Sequence, residues 1–253
     1  DLHVIAYRLA EALSVPAMVC VDGFVLTHAF EPIELPDQKL VDRYLPSMRP
    51  RQVLDPDGPV TIGAMVGPDA FTEVRYLADH QLRQATPELA AAAKTWRLFT
   101  GRCVAAVSGY QVEGAETVVV TLGSVAGTVR EAVQDVHPQT GVVTMTLFRP
   151  FPAQELRAAL RGARQVIVLE RAFAPGAGGV LAADVRAALA GSASRISAVV
   201  AGLGGRPVTQ ASVRAMLRAA HAGTLPDFSF LDLNEDVVEH ELGRHSEVPG
   251  GYR

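Results

Sequence analysis

The sequence is poor in cysteine, in lysine and in long hydrophobic runs. Its 253 residues include two cysteines, Cys20 and Cys103, and the lysines are Lys39 and Lys94. A disulfide scaffold needs more cysteines than this, and an iron–sulfur or zinc site needs clustered thiolates. We therefore expect two buried, unreactive thiols and no metal site in this chain.

The charge balance and the hydropathy pattern argue against two further classes of partner. The formal net charge is −4 and the pI is about 6.0, whereas a nucleic-acid-binding domain presents a clustered basic face. No apolar run is long enough to cross a bilayer, and no charged-then-apolar leader opens the sequence. We expect no nucleic-acid partner, no membrane partner and a cytoplasmic location.

The first residues already follow a helical pattern. Apolar side chains recur on one helical face at Val4, Ile5, Leu9 and Leu13. Pro16 stops this helix, and the apolar run over residues 17–21 predicts a parallel strand buried on both faces. Natural domains seldom begin inside a helix without a cap, so the pattern favours a fragment.

The middle of the sequence predicts a long irregular segment followed by two helices. Residues 31–68 are dense in proline and lack periodicity, which predicts an extended stretch with one helix at 37–44. A helix is predicted over 70–83. A second begins at the cap-like Thr86-Pro87-Glu88, runs through Ala93 and ends at Gly101. These two helices are expected to connect two domains.

From residue 117 onward the pattern becomes regular. Strands are predicted at 117–122, 141–148, 165–169 and 196–201, and helices at 128–136, 153–160, 180–189 and 212–220. A short apolar piece at 228–231 precedes a polar, mobile tail. Because strand and helix alternate through short links, the strands must pair in parallel with right-handed crossovers. The predicted fold class is α/β, with a doubly wound parallel sheet.

Three strand ends carry glycine or polar residues and supply the interface or ligand-edge candidates. These are Gly123-Ser124 with Thr128, Glu170-Arg171 with Gly178 and Gly179, and residues 202–205. Glycine lets backbone N–H groups approach an anion, and a helix N-terminus adds a favourable dipole. Each turn taken singly is more often structural, and none completes a dinucleotide or Walker motif. Their common position at one sheet edge favours a ligand or partner surface there.

Two pairs of residues could transfer a proton, but each pair is more simply explained by a structural role. Glu170 and Arg171 are adjacent in a strand, so their side chains point to opposite faces, which favours an interface salt bridge over an acid–base pair. His28 lies near Glu31 in one loop and could transfer a proton, but a structural loop histidine is commoner. No nucleophile elbow and no paired catalytic carboxylates occur. The residues alone predict no active site.

The run Val19-Cys20-Val21-Asp22-Gly23-Phe24, followed by Thr27-His28 and Glu31, resembles the pyruvate:ferredoxin oxidoreductases. In that family the pyrimidine-binding domain ends with a strand, Asp-Gly-Phe and a Ser/Thr-His pair. Further similar motifs follow in the family's order: Gly123-Ser124 with Thr128, residues 147–152, residues 169–171 with 175–179, and residues 202–206. Thr27 stands where many relatives have Ser, and Glu170 where many have Asp.

The resemblance implies a domain arrangement and an activity. Residues 1–60 would be the truncated end of the thiamine pyrimidine-binding domain and 61–101 a helical connector. Residues 102–235 would be the transketolase-C-terminal-like domain II and 236–253 a polar tail. The family decarboxylates a 2-oxoacid on thiamine diphosphate, passes electrons through four-iron four-sulfur clusters to ferredoxin, and forms an acyl-CoA. The residues leave open which 2-oxoacid is used, and pyruvate is the substrate expected in advance from the family.

The resemblance also implies where the chemistry lies. The glutamate that activates the cofactor would precede Asp1, and the magnesium–diphosphate site and the clusters would belong to other domains or subunits. We expect no catalytic residue in this segment and no cofactor bound by it alone; the cofactor-binding candidates are Asp22, Gly23, Phe24 and His28. The implied partners are the other subunits, ferredoxin and coenzyme A.

Two other functions remain open at this point. One is a beta-type subunit of a 2-oxoacid dehydrogenase complex or a transketolase relative, which keeps the thiamine chemistry. The other is a non-catalytic α/β interaction module. The runs at 22–24 and 149–152 favour the ferredoxin-linked family over the first alternative.

Overall fold

The computed structural model describes residues 1–23, 25–63, 65–134, 136 and 140–246. The helices are α1 Leu2–Leu13, α2 Val25–His28, α3 Gln38–Tyr44, α4 Pro68–Arg83, α5 Ala85–Thr100, α6 Val125–Gln134, α7 Ala153–Ala159, α8 Val180–Ala188, α9 Gln210–His221 and α10 Glu235–Ser246, with a 3₁₀ turn at Leu203–Gly205. The strands are β1 Val107–Tyr110, β2 Thr117–Leu122, β3 Thr140–Met145, β4 Gln165–Glu170, β5 Arg195–Val200 and β6 Phe228–Phe230. Within these ranges, no helix has the length and apolarity needed to span a membrane.

The strands form one six-stranded sheet in the order β1-β3-β2-β4-β5-β6. β2, β4, β5 and β6 pair in parallel, with Thr117 opposite Gln165, Gln165 opposite Arg195 and Ala198 opposite Phe228. The central strands carry Val, Ile and Leu on both faces and are buried along most of their length, as strands covered by helices require. The predicted α/β class with parallel pairing is confirmed.

The chain divides into two compact units. Unit 1 comprises Asp1–Tyr110, Leu122–Ser124 and Val143–Arg161, and unit 2 comprises Gln111–Thr121, Val125–Val142 and Gly162–Arg253. The buried strand residues of β2, β4 and β5 belong to unit 2, so its core is the inside of an α/β sheet. Unit 1 has a smaller core built mainly from helices.

The core of unit 1 forms where α1, α3 and α5 meet. Ile5, Tyr44 and Trp96 are buried there, and the Tyr44 and Trp96 rings pack edge to face with centroids 4.9 Å apart. The Tyr44 hydroxyl donates to the Ala92 carbonyl at 3.1 Å, and Arg8 donates to the Tyr44 carbonyl at 2.9 Å. Burial raises the pKa of the Tyr44 hydroxyl, so the group stays protonated as the donor that this contact needs.

The strand predicted at residues 17–21 is wrong. The segment has no regular structure, and the side chains of Met18 and Val21 are 87% and 69% exposed. The prediction of buried thiols is also wrong, because both Cys20 and Cys103 are exposed. An apolar run forms a buried strand only beside other strands, and none of the described strands pairs with this segment.

Unit 1 exposes many large apolar side chains between residues 18 and 77. We call this stretch the exposed apolar segment; it includes Met18, Phe30, Ile33, Leu35, Met48, Leu54, Met65, Phe71 and Leu77. Single exposed apolar residues are normal on a protein surface. In unit 1 they are concentrated along one stretch of the sequence.

Several element ends differ from the sequence predictions. α6 begins at Val125 rather than 128, and Thr86 lies inside α5 instead of capping it. Gly101 does end α5, with φ 72°. β1, α2 and α10 were not predicted. For α10 a signal was present, because the Asn234 side chain accepts from the Val237 N–H at 3.2 Å as an N-terminal cap.

Candidate functional site

Asp22 makes a long-range contact with the turn after β2. Its Oδ2 accepts a hydrogen bond from the Ser124 backbone N–H at 2.7 Å, across 102 residues of sequence. Gly123 has φ 69°, and a Cβ there would lie 3.0 Å from Asp22 Oδ2. The left-handed backbone and the close carboxylate both favour glycine at this position. Two of the motifs picked out from the sequence are therefore in direct contact.

The other cofactor-binding candidates are arranged less tightly. A Cβ on Gly23 would have no atom within 4 Å, so a residue with a side chain would fit at this position. His28 ends the short helix α2 and is exposed, with Thr27 Oγ1 at 3.4 Å from its Nδ1. Phe24 lies outside the described residues. Thr128 lies in α6 and is half-buried.

Glu170 is the last residue of β4, and its side chain is only 3% exposed. Its two carboxylate oxygens accept from the backbone N–H groups of Leu181, at 2.7 Å, and Ala182, at 3.0 Å. These are first-turn donors of α8, which have no partner inside the helix. The negative charge also complements the helix dipole. The Glu170 carboxylate is thus bonded inside unit 2, and the interface salt bridge stays a prediction.

Gly178 and Gly179 are both needed before α8, but for different reasons. Gly178 has φ 92° and closes a short antiparallel bridge with Ala174, in which each residue donates to the other's carbonyl, at 2.8 and 2.9 Å. Gly179 has φ −73°, which any residue adopts. A Cβ on Gly179 would stand 2.0 Å from Glu170 Oε1, so the buried carboxylate fits only because a side chain is missing.

A groove lies at the carboxyl ends of β5 and β6. It has a volume of about 270 Å³, and its lining includes Val200, Gly202, Leu203, Arg206 and Phe230. Arg206 donates to the Asp232 carbonyl. Arg171 is exposed, and a Cβ on Gly202 would lie 2.7 Å from its Nε. The glycine turn at 202–205 thus makes room for an arginine side chain.

Two family models match the chain. Residues 1–93 match the model described as pyruvate flavodoxin/ferredoxin oxidoreductase, thiamine diphosphate-binding, and residues 115–213 match pyruvate:ferredoxin oxidoreductase core domain II. The chain belongs to the pyruvate:ferredoxin oxidoreductase family. The resemblance inferred from the motifs is confirmed, and Asp22 and Ser124 fall in the two different matched regions of this family member.

Known relatives span more sequence than this chain. The pyruvate synthase subunit PorA of Methanosarcina barkeri is 34% identical over 245 residues, which are 92% of this chain and 61% of that protein. PorA of Methanothermobacter thermautotrophicus is 34% identical over 223 residues, 86% of this chain and 58% of that protein. The ketoisovalerate oxidoreductase subunit VorA of Pyrococcus horikoshii is 31% identical over 224 residues, 85% of this chain and 57% of that protein. The chain thus spans about three-fifths of the curated relatives.

A solved structure is also similar. It is a 2-oxoglutarate:ferredoxin oxidoreductase from Magnetococcus marinus with 2-oxoglutarate, coenzyme A and succinyl-CoA bound. The TM-score is 0.43 and the identity 19%, over 71% of this chain and 29% of that chain. A likeness at this level supports no conclusion about the site.

The residues of this family member do not fit the family's metal cofactors. A four-iron four-sulfur cluster is held by four thiolates, and the sequence has two cysteines. In the described ranges, no group of three or more His, Cys, Asp or Glu side chains is placed to hold a metal ion. The Asp22 carboxylate in unit 1 and the Glu170 carboxylate in unit 2 each accept hydrogen bonds from backbone N–H groups of their own unit. Each of these carboxylates therefore holds a backbone segment in position.

Removing the Asp22 carboxylate is expected to weaken the contact between the two matched regions. Asp22→Ala should lower the free energy of unfolding of the full-length protein by about 1 kcal/mol, since a charge-assisted bond to a turn N–H is lost at a partly exposed site. Asp22→Asn keeps an oxygen acceptor and should lose about half as much. Urea unfolding measures both, with Asp37→Ala as control, because Asp37 is an exposed helix-end carboxylate whose side chain makes no cap bond. Equal stability of Asp22→Ala and the control would contradict the role assigned to Asp22.

Proposed function

We propose that this chain is part of the alpha-type subunit of a 2-oxoacid:ferredoxin oxidoreductase. In the complete enzyme, a 2-oxoacid is decarboxylated with thiamine diphosphate, the acyl group is transferred to coenzyme A, and the electrons pass through iron–sulfur clusters to ferredoxin. The support is the match of two models of one family, in the order of the chain, together with the identity to PorA.

Within that enzyme, the role proposed for this chain is to hold the thiamine-binding region against domain II. One observation carries this role, the hydrogen bond from Ser124 N–H to the Asp22 carboxylate, which joins the two matched regions. Glu170 has a comparable role inside domain II, where it fixes α8 to the end of β4. Both carboxylates keep the polypeptide in place while the chemistry is supplied elsewhere.

Pyruvate is the substrate that we propose. The relatives named as pyruvate synthase subunits are 34–35% identical to this chain, and those named as ketoisovalerate oxidoreductase subunits are 31% identical. The cofactors proposed for the complete enzyme are thiamine diphosphate, magnesium and four-iron four-sulfur clusters, carried outside this chain. The partners proposed are the other subunits, ferredoxin and coenzyme A, in the cytoplasm.

The test is turnover by the complete enzyme, assembled from the full-length subunit and its partner subunits. We expect coenzyme A-dependent reduction of ferredoxin, with kcat/KM highest for pyruvate among pyruvate, 2-oxoisovalerate and 2-oxoglutarate. A higher kcat/KM for either of the other acids would overturn the choice of pyruvate alone. No reduction with any 2-oxoacid would overturn the function.

A further inference from the structure

A groove in unit 1 shares no lining residue with the groove at the ends of β5 and β6. It has a volume of about 450 Å³, within the range of ligand-binding clefts, and lies between α5 and residues 103–107, with Glu155 beside them. α5 contributes Thr86, Leu89, Ala90, Ala93, Lys94 and Arg97. We call it the α5–β1 groove. Leu89 and Ala93 are buried, so they give the groove an apolar floor.

One wall of the α5–β1 groove is main chain with unused hydrogen-bonding capacity. β1 is the terminal strand of the sheet, and the Ala106 carbonyl accepts from Thr146 N–H at 2.9 Å and Leu147 N–H at 3.1 Å. In the part of the chain that the structure describes, the backbone groups of residues 103–105 make no such bond. Residues 103–105 lie just before this terminal strand, and a backbone with open donors and acceptors beside a sheet edge can pair with another strand.

The rim of the α5–β1 groove carries two cations. Lys94 and Arg97 are exposed and lie three residues apart on one face of α5. Among the described residues, neither side chain has an ion-pair or hydrogen-bond partner. Glu155 is the single acid of the lining, so the groove is net positive in a chain whose net charge is −4. A cation pair of this kind is complementary to carboxylates.

We propose that the α5–β1 groove binds an extended, acidic polypeptide segment of another subunit in the complete enzyme. The segment lies along residues 103–105 through main-chain hydrogen bonds and sets alternate apolar side chains on Leu89 and Ala93. It places a carboxylate against Lys94 and Arg97. The inference rests on the proposed function only in requiring a multisubunit enzyme, and it does not depend on which 2-oxoacid is used.

Hydrogen exchange of the complete enzyme tests the proposal. The backbone amides of residues 103–105 should exchange at least about ten-fold more slowly in the wild type than in Lys94→Glu/Arg97→Glu, because charge reversal repels an acidic segment. The control variant is Arg161→Glu/Arg218→Glu, which makes the same change in net charge at exposed positions outside the groove. It should keep the wild-type protection. Equal exchange in the wild type and the groove variant would overturn the proposal.

Cross-linking gives a second measurement that needs no variant. A carbodiimide joins lysine amines to carboxylates in direct contact, and Lys94 is one of two lysines in this sequence. An amide bond between Lys94 and an Asp or Glu of another polypeptide supports the proposal. Failure of Lys94 to cross-link outside its own chain would overturn it.

A small anion is a further occupant to distinguish from a polypeptide of another subunit. If slow exchange at 103–105 disappears after gel filtration and returns with inorganic phosphate alone, the polypeptide proposal is overturned. An enzyme that turns over a 2-oxoacid while these amides exchange rapidly would overturn this inference and leave the proposed function standing.

Discussion

Gly179→Val is expected to lower the free energy of unfolding by about 3 kcal/mol or more, a larger effect than most single substitutions produce. The new Cβ would overlap Glu170 Oε1 at 2.0 Å, and the carboxylate cannot move away without leaving the Leu181 and Ala182 N–H groups. Displacing it leaves a buried charge and two helix donors unpaired. Urea unfolding of the full-length protein measures the loss.

Two comparisons isolate the cause of the Gly179 effect. Gly176→Val changes a glycine of the same loop that has φ 82° but open space around it, so it should cost only the backbone strain, about 1–2 kcal/mol. In a Glu170→Ala background, the clash disappears, and Gly179→Val should cost less than half of what it costs in the wild type. If the two costs are equal, the close approach to Glu170 does not explain why glycine is required.

Trp96→Ala is expected to destabilise unit 1 by about 3–5 kcal/mol, the range for truncating a fully buried tryptophan. The Trp96 side chain is 0% exposed and packs on Tyr44 at the junction of α1, α3 and α5. Truncation leaves a cavity between α1, α3 and α5, which are connected through the proline-rich residues 31–68. The midpoint of thermal unfolding, followed by far-ultraviolet circular dichroism, measures the loss.

Trp96→Phe separates packing from polarity at the same position. The Trp96 Nε1–H is buried and makes no hydrogen bond to any described residue, so replacing the indole removes no polar contact. The variant should therefore cost about 1.5 kcal/mol or less. Tyr76→Ala, at a side chain that is exposed on α4, should be close to neutral. A loss for Trp96→Phe as large as for Trp96→Ala would contradict the packing account.

The elements of unit 2 were predicted well because their signals are local. β2 and β4 are short, continuous apolar runs that end in turn residues, and the sequence prediction matches β2 over Thr117–Leu122. Alternation with helices then requires parallel pairing. The run at 17–21 has the same composition, but it has no strand partner in the described structure and is exposed. Composition therefore identifies a segment that can form a strand, but the strand forms only where another strand is available to pair with it.

The candidate site was predicted as a set of positions but not as contacts. The sequence placed Glu170 at a strand end and showed that Arg171 points to the other face, yet it did not show that the carboxylate caps α8. A signal existed, because Gly179 precedes α8 and has no side chain with which to cap it, so another group must do so. The Asp22 contact spans 102 residues and has no local signal. Gly179 has φ −73°, so glycine is required there by the close approach of Glu170 and not by its backbone conformation.

The exposed apolar segment has a consequence for the life of the protein in the cell. A polypeptide with Met18, Phe30, Leu54 and Met65 in water is a target for chaperones and proteases until other residues, of its own protein or of a partner, cover them. Its abundance should then depend on whether these side chains are covered, because uncovered copies are degraded and not stored. Overproduction of residues 1–253 alone should yield aggregates, and co-production with the polypeptide that covers these side chains should restore soluble protein.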